Sequence, residues 1–413
     1  MLSLYIHIPF CSQKCNYCNF FVIPVSNEWF FDLRQKYFEA LVGQIEFYAQ
    51  KFPKEQIKTI YFWWWTPLLL GKQQIIEIIK RIQKFFDLNF LEEISFELNP
   101  NPYDEVLDFI KTINDTFKDF FRIRYSIWIQ SFDDEILKLS GRDYFFNSLI
   151  WFIRDLQKYK RSNNVFNFDF IAFGKFNTNK KWEKILRDDK KITFFQNLVE
   201  SHFLDSFSIY TLELFAWSFW YNRFITESNK EQADENIFQE FDLLKSIVED
   251  AGYQRYEISN FALPGKISIH NNVYWTMWNY LGLGISAHSF LDKEYSSRLW
   301  EKLPDVEGLQ GTRFENTKSW KDFEKKEFLD SSSIKYLTEK DFLIEKFFLG
   351  LRTNFGIAKL DSFKKILIKN YVKKIEEFEK LWFINVWNDT LKLTSKWMDI
   401  YNEVLVNLVE DFK

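Results

Sequence analysis

Glycine is scarce in this chain. The 413 residues include 12 glycines, where an average share of about 7% would give roughly 29. Cysteine is also rare, and all three cysteines fall within residues 11–18, which excludes a disulfide scaffold. Charge of neither sign dominates, because 54 Lys and Arg face 58 Asp and Glu. The near balance gives no sign of a nucleic-acid partner.

Long apolar runs are missing as well. The longest, Tyr61 to Leu70, is interrupted by Thr66 and Pro67, and it is far shorter than the roughly 20 residues that span a bilayer. The N-terminus has no basic segment and no cleavage site of a secretory signal. We therefore expect a cytoplasmic, reducing location. Peripheral contact with a membrane surface stays open.

What the sequence does contain is an alternation of short β-rich runs with amphipathic helical patterns. The predicted strands are 2–8, 58–62, 93–98, 122–130, 165–172 and 205–211, and the predicted helices are 30–50, 72–86, 104–113, 145–159 and 231–251. Such repetition predicts an α/β fold with a parallel sheet and helices outside it. No Gly-x-Gly-x-x-Gly follows the first strand, so a partial (β/α) barrel, TIM-like, is favoured over a doubly wound sheet.

The composition changes near residue 296. Residues 1–295 form the predicted barrel domain. Residues 296–413 form a predicted, mainly helical C-terminal domain, with periodic stretches at 340–351 and 363–382. A polar segment around 300–320 is the predicted linker.

The cysteines have the spacing C-x3-C-x2-C directly after the first strand. Cys11, Cys15 and Cys18 could ligate three irons of a four-iron cluster and leave the fourth iron open to an external ligand. Tyr17 would supply an aromatic wall beside it. A structural zinc site with His7 as a fourth ligand is an alternative, although these spacings differ from paired C-x2-C knuckles.

A family resemblance follows from motifs along nearly the whole chain. HIPFCSQKCNYCNF resembles the opening of radical S-adenosylmethionine (SAM) proteins, specifically the oxygen-independent coproporphyrinogen III oxidase-like family. Further matching motifs, in the family's order, are TIYFWWWTP, FELNP, SIWIQSFDDE, LSGR, YEISNF, HNNVYW, NYLGLGISAHSF, LGLRTNFGI and LTSKWMDIYNEVL.

Within this family the chain is similar to the HemW-type heme chaperones. Coproporphyrinogen oxidases have a longer N-terminal extension and a further cysteine after the cluster, where this chain has Asn19 and Phe20. The resemblance implies a protein that binds heme and transfers it to respiratory acceptor proteins, with a [4Fe–4S] cluster and SAM as cofactors. SAM-dependent decarboxylation of coproporphyrinogen III is the alternative function, and whether the chain is an enzyme stays open.

The resemblance also implies a set of site residues. Cys11, Cys15 and Cys18 would hold the cluster, and SAM would chelate the open iron. The implied SAM contacts are Tyr5, Tyr17, Trp64, Trp65, Thr66, Glu97, Gln130, Arg142 and Asp169. His270 and His288 are candidate heme contacts, since imidazole is a common axial ligand.

Tryptophan stands repeatedly where the family has glycine. Trp63, Trp64 and Trp65 replace three glycines whose backbone approaches SAM closely, and taken literally they damage SAM binding and favour a third reading, a degenerate, non-catalytic fold. The matching positions also include Trp128, Trp278 and Trp397. Predicted turns, where glycine is common, add Trp217, Trp220, Trp382 and Trp387.

Our hypothesis is that UGA codons meaning glycine were translated as tryptophan; TGG codons at 63–65 would contradict it. The chain also differs from the family's motif at Lys175 to Thr178, in a loop that is expected to border the ligand pocket.

Overall fold

The computed structural model describes residues 1–12, 14–18, 21–25, 30–63, 67–117, 122–174, 190–213, 219–224, 230–358, 379–380, 384–387, 390–399 and 401. Among these residues, none of the helices combines the length and the apolar character needed to cross a membrane.

Seventeen strands are numbered here in chain order. They are β1 Leu2–His7, β2 Phe10–Cys11, β3 Ile23–Pro24, β4 Ile57–Trp63, β5 Glu93–Leu98, β6 Arg122–Gln130, β7 Asn164–Ala172, β8 Ser206–Thr211, β9 Gln254–Glu257, β10 Asn260–Ala262, β11 Tyr280–Leu283, β12 His288–Asp292, β13 Gly311–Glu315, β14 Lys335–Leu337, β15 Ile357–Ala358, β16 Ile384–Trp387 and β17 Thr390–Leu393.

The described helices are numbered in the same way. They are α1 Phe30–Lys51, α2 Pro67–Leu70, α3 Lys72–Phe85, α4 Tyr103–Thr116, α5 Asp134–Leu139, α6 Phe146–Leu156, α7 Lys190–Glu200, α8 Phe219–Phe224, α9 Lys230–Asp250, α10 Ile269–Trp275, α11 Lys293–Leu299, α12 Trp320–Glu324, α13 Glu339–Leu351 and α14 Ser395–Met398. Short 3₁₀ turns occupy Gln157–Tyr159 and Ser331–Ser333.

One twelve-stranded sheet forms the frame, in the order β14-β13-β12-β11-β1-β4-β5-β6-β7-β8-β10-β9. The strands from β11 through β8 in this order pair in parallel. Antiparallel strands extend both edges. The predicted partial barrel is confirmed: parallel strands with helices between them form an open, curved sheet.

The parallel strands alternate between two kinds of side chain. On β6, Ile123, Tyr125, Ile127 and Ile129 pack in the apolar core, whereas Arg124, Ser126, Trp128 and Gln130 line a cavity. The neighbouring strands follow the same alternation, because successive side chains on a strand point to opposite faces. The outer face therefore packs on the helices, while the inner face is polar.

The helices bury apolar stripes against the outer face. On α3 the buried residues are Ile75, Ile76, Ile78, Ile79 and Ile82, at the spacing that places side chains on one side of a helix. They belong to the same core cluster as Ile60 and Phe62 of β4. This packing fixes the position of the strand ends, which carry the candidate site.

The C-terminal part, which the sequence predicts to be mainly helical, contains strands as well as helices. The main sheet continues through β13 and β14, past the expected domain boundary at 295/296, because β13 pairs with β12 over five residues. A second, three-stranded sheet follows, in the order β15-β17-β16. The region from 296 on is thus not purely helical. The predicted helix at 340–351 is confirmed as α13, and most of the one at 363–382 lies outside the described residues.

Candidate functional site

A cavity of about 480 Å³ opens at the carboxyl ends of the parallel strands. Its lining comes from β4 to β8, the residues after β8, the cysteine loop and α10. The lining residues are Tyr17, Tyr61, Trp63, Glu97, Arg124, Ser126, Trp128, Gln130, Asp169, Ile171, Ser208, Tyr210, Thr211, Leu212, Glu213 and Asn271. The carboxyl end of a barrel sheet is where the βα loops converge and where barrels bind their ligands. Its volume lies in the usual range for small-molecule pockets.

The three cysteines form a buried group at the rim of this cavity. Cys11, Cys15 and Cys18 are each less than a tenth exposed and pack together with Tyr17 and Trp128. All three are free thiols. The donor set fits a [4Fe–4S] cluster held by three thiolates, which leaves one iron for an external ligand.

A single metal ion fits the site less well. Within the described residues, no group of three or more His, Cys, Asp or Glu side chains is arranged to share one metal ion. A four-iron cluster does not require this, because each thiolate binds a different iron. His7, the fourth ligand of the zinc alternative, pairs through Nδ1 with the Tyr5 hydroxyl at 2.7 Å.

The cysteine loop is fastened to the turn that follows α5. The Asn16 backbone N–H donates to the carbonyl of Ser140 at 3.2 Å, and the Asn16 side chain donates to the carbonyl of Leu139 at 2.7 Å. Arg142, in the same turn, donates to the Tyr17 hydroxyl at 2.5 and 3.2 Å. These bonds hold the loop in a defined position beside the cavity.

Arg142 also brings a positive charge to the thiols. Burial raises the pKa of the Cys15 thiol, and the Arg142 guanidinium and a hydrogen bond with Tyr17 oppose that rise. A nearby cation favours the thiolate, which is the form that binds iron. The sequence placed Arg142 among the SAM contacts, whereas in the structure it contacts Tyr17 and Asn99.

Two carboxyl groups and a guanidinium lie in the floor of the cavity. Glu97 and Asp169 are about 5% exposed or less, and Arg124 Nη1 lies 3.8 Å from Glu97 Oε1. Asp169 accepts from Ser126 Oγ and Asn167 Nδ2, both at 2.9 Å. Burial, and then the negative charge of Asp169, raises the pKa of Glu97, and burial raises that of Asp169. The floor therefore favours partners that donate hydrogen bonds or carry positive charge.

Gln130 ends β6 in an unusual backbone conformation. Its φ is 64°, a left-handed value that non-glycine residues rarely adopt, and the register between β6 and β7 shifts at this point. The buried Oε1 has no hydrogen-bond partner among the described residues. A bulge that aims an unpartnered amide into a cavity is consistent with a ligand contact at Gln130.

Two tryptophans stand inside the cavity at positions where the family has glycine. The Trp128 indole N–H donates to Glu97 Oε2, and the Tyr61 hydroxyl donates to Glu97 Oε1. The Trp63 ring lies 5.7 Å from that of Tyr5 and packs on the cysteine group. The side chains around the cavity suit a polar ligand such as SAM, and these two indoles occupy part of the space that glycine would leave open.

Other predicted residues lie away from the cavity lining. Tyr5 packs with Tyr61 and Trp63 just beneath it. His288 is largely exposed, with its Nε2 3.6 Å from Glu315. Trp64, Trp65, Thr66 and the segment from Lys175 to Thr178 lie outside the described residues.

His270, a candidate heme contact from the sequence, lies within a hydrogen-bonded arrangement of buried side chains. Its side chain is fully buried, its Nδ1 pairs with Thr59 Oγ1 at 2.6 Å, and its Nε2 pairs with the Tyr274 hydroxyl at 2.8 Å. Burial, and then the charge of Arg124, lowers the pKa of His270 to about 3. Both ring nitrogens of His270 therefore have partners within the protein.

The tryptophans outside the cavity fall into different settings. The sequence predicts a turn at Trp220, but this residue lies on α8. Its side chain is 1% exposed and packs on Phe173, so the turn prediction is wrong at this position. Trp278 is 41% exposed, and Trp397 lies on α14. Trp387 ends β16. Trp217 and Trp382 lie outside the described residues.

Sequence reasoning missed several residues of the cavity, including Arg124, Tyr61, Ser126 and Ser208. A usable signal was present. Strands of parallel sheets with both faces packed usually read as continuous apolar runs, yet RIRYSIWIQ and NFDFI alternate polar and apolar residues. That alternation indicates a polar inner face.

Comparisons with known proteins agree with this geometry. A sequence model of the Radical SAM superfamily matches residues 5–188. The heme chaperone HemW of Buchnera aphidicola subsp. Acyrthosiphon pisum is 31% identical over 287 residues, which cover 70% of this chain and 69% of that protein. The chain belongs to the radical SAM superfamily, in its HemW-like group.

The likeness extends over the full length. The heme chaperone HemW of Lactococcus lactis subsp. lactis is 27% identical over 418 residues, which cover 99% of this chain and 97% of that protein. The solved structure of coproporphyrinogen III oxidase (HemN) from Escherichia coli, a radical SAM enzyme, has a TM-score of 0.71 over 99% of this chain and 90% of its own, at 20% identity. That structure supports the fold. Membership of the superfamily implies a [4Fe–4S] cluster and SAM.

Proposed function

We propose that this protein is a heme chaperone, which binds heme and transfers it to an acceptor protein. The observation that carries the proposal is the similarity to the Lactococcus HemW along 99% of the chain. The buried cysteine group and the adjoining cavity are the parts that such a radical SAM protein would use. Respiratory proteins are the proposed acceptors, and the cytoplasm is the proposed location.

Different residues of the chain would hold the cluster, position its loop and bind the ligand of its open iron. Cys11, Cys15 and Cys18 would hold the [4Fe–4S] cluster, which supplies one-electron redox chemistry and an open iron when bound. Arg142 and Tyr17 oppose the effect of burial on the Cys15 thiolate and hold the loop in position. The polar floor of the cavity would bind the ligand of that iron.

The proposal is tested by anaerobic titration with heme of the protein in which the [4Fe–4S] cluster has been reconstituted. We expect a saturable shift of the heme absorbance band at one heme per chain, followed by loss of heme to an added apo-acceptor. Hen egg-white lysozyme, which has no heme site, gives the reference for nonspecific binding. Heme binding no stronger or more saturable than that reference would reject the chaperone function.

The alternative function is oxidative decarboxylation of coproporphyrinogen III. Its support is the fold-level likeness to the Escherichia coli oxidase, which at 20% identity does not extend to activity. The same reconstituted protein, supplied with coproporphyrinogen III, SAM and a reductant, should form no protoporphyrinogen. Product formation would instead favour the enzyme.

A further inference from the structure

Three motifs of the sequence converge on Arg352, away from the cysteine group. Arg352 belongs to LGLRTNFGI and directly follows α13, as its C-cap residue. Its guanidinium lies 4.3 Å above the ring of Trp275, the last residue of HNNVYW. Its Nη2 lies 3.6 Å from Glu257, in YEISNF. Segments far apart in sequence thus meet at one guanidinium.

Backbone contacts hold this arrangement in place. Thr353 forms a bridge with Glu257 at the end of β9. The Asn354 N–H donates to the carbonyl of Tyr256 at 3.0 Å, and the Asn354 side chain donates to the carbonyl of Arg255 at 2.9 Å. The C-terminal segment therefore attaches to β9, at one edge of the main sheet, and Arg352 has a fixed position there.

Arg352 faces a second compartment of about 470 Å³. Its lining comprises Tyr210, Thr211, Glu213, Phe238, Ile258, Ser259, Arg352, Met398, Asp399 and Tyr401. Tyr210, Thr211 and Glu213 also line the cavity beside the cysteines. The two spaces thus share a wall, and a ligand in the second lies beside the first.

The compartment contains one cation, Arg352, two acids, Glu213 and Asp399, and aromatic walls. Arg352 Nε is buried without a hydrogen-bond partner in the described part of the chain, and at 3.6 Å its contact with Glu257 is too long for a hydrogen bond. The acid Asp399 is already paired with Arg255 at 2.5 Å and Lys245 at 2.7 Å. Phe238 and Tyr210 are about 40% exposed at the edge of the space.

We propose that this second compartment binds heme, with Arg352 holding a propionate carboxylate and Phe238 contacting the macrocycle. A guanidinium is suited to a carboxylate because its parallel N–H groups match the two oxygens. A flat aromatic ligand is suited to the ring of Phe238. This assignment rests on the proposed function and adds the site and the anchor.

Heme and heme dimethyl ester, whose propionates are methylated, separate the two contacts. For the full chain under anaerobic conditions, we expect Arg352→Gln to weaken heme binding by about tenfold or more and to leave binding of the diester within about twofold. Phe238→Ala should weaken both ligands alike. Arg154→Gln is the matched control, because Arg154 also lies beside a tryptophan, at 5.8 Å from Trp151, but lines neither space.

Each result has one meaning. If heme binds the parent chain and Arg352→Gln binds it equally well, the assignment of the compartment is wrong while the chaperone function stands. If neither the parent chain nor any variant binds heme, the proposed function is wrong, and the assignment of the second compartment is wrong with it. If Arg352→Gln weakens both ligands equally, Arg352 supports the fold and is not a carboxylate contact. The circular dichroism spectrum and melting temperature of each variant exclude misfolding as the cause.

Discussion

At the residue scale, the Trp128 indole determines what the cavity can accept. It donates to Glu97 Oε2, so it satisfies a buried acceptor that a bound nucleoside hydroxyl could use instead. A glycine at this position would free both the acceptor and the volume of an indole. The recurrence of tryptophan at family glycine positions therefore has a direct structural consequence: the fold and the thiols persist, and the ligand space is reduced.

We expect glycine at positions 63–65 and 128 to restore SAM binding. Glycine at residues 63–65 alone should restore SAM binding only weakly, because the Trp128 indole still donates its hydrogen bond to Glu97. Adding Trp128→Gly should tighten SAM binding by about tenfold or more. Anaerobic equilibrium dialysis with SAM measures both steps. The control is Trp278→Gly, another family glycine position, where the side chain is exposed and outside the cavity. Equal SAM affinity of the parent and the fully substituted chain would contradict the hypothesis of misread glycines.

Glu97 should also make stability depend on pH. A carboxyl whose pKa is raised by folding stabilises the protein below its unfolded pKa, and this contribution is lost as the pH rises through the folded pKa. Burial raises the pKa of Glu97, so the free energy of unfolding should fall between about pH 5 and pH 8. Glu97→Gln should reduce this fall by on the order of 1 kcal/mol or more.

Urea unfolding of the ligand-free chain at several pH values measures the effect. Glu92→Gln provides the control, because the Glu92 side chain lies next to the same strand but is half exposed. Identical pH profiles for the parent chain and Glu97→Gln would show that Glu97 ionises without cost.

At the element scale, the cysteine loop depends on the turn after α5. Arg142 both anchors Tyr17 and opposes the burial-induced rise in the pKa of Cys15. Arg142→Gln keeps hydrogen-bond donors and removes the charge. We expect it to raise the pKa of the Cys15 thiol, because the opposing positive charge is removed.

The rate of iodoacetamide alkylation at Cys15, followed by peptide mapping across a pH series in cluster-free protein, reports this pKa. Lys138→Gln removes an exposed charge from the nearby α5 and should leave the rate unchanged. A rate profile for Arg142→Gln that matches the parent chain would exclude an electrostatic role for Arg142.

Strands were the elements most accurately predicted from sequence. The six predicted strands all appear, with ends within one residue of β1, β4, β5, β6, β7 and β8. β-branched and aromatic residues mark them locally, and intervening helices define their limits. The short strands β9 to β14 were missed, because most have only three to five residues and form through pairing with distant neighbours.

At the scale of the whole molecule, the C-terminal segment is fastened to the barrel by an ionic contact. Asp399 pairs with Arg255 at 2.5 Å and with Lys245 at 2.7 Å, and the Arg255 side chain is 4% exposed. Removing the acid would leave a buried cation with fewer partners. Such a contact stabilises the position of one segment more than it stabilises the fold.

Asp399→Asn should loosen this segment, at a cost of about 2 kcal/mol. Hydrogen exchange of the amides in β17 and α14 should become faster, while exchange in the parallel strands stays as in the parent. Asp242→Asn is the matched control, since Asp242 is an exposed partner of the same lysine, at 2.9 Å. Unchanged exchange in Asp399→Asn would mean that apolar packing alone positions the segment.

The predicted domain boundary shows what sequence composition cannot reveal. Residues after 296 become more polar, yet β13 and β14 join the main sheet. Polar residues suffice there because edge strands have one side toward solvent. Whether a segment joins a sheet depends on which strand it pairs with, and composition does not identify that strand.

The sequence by itself determined the cysteine loop, the parallel strands and the family. All three depend on local spacing and on motifs that need no partner. Tertiary structure alone decided that Arg124 and Tyr61 share a cavity with Glu97, that both nitrogens of His270 are engaged, and that Arg352 meets Trp275. The physical reason is that burial and pairing depend on segments distant in sequence, whereas spacing records only neighbours along the chain.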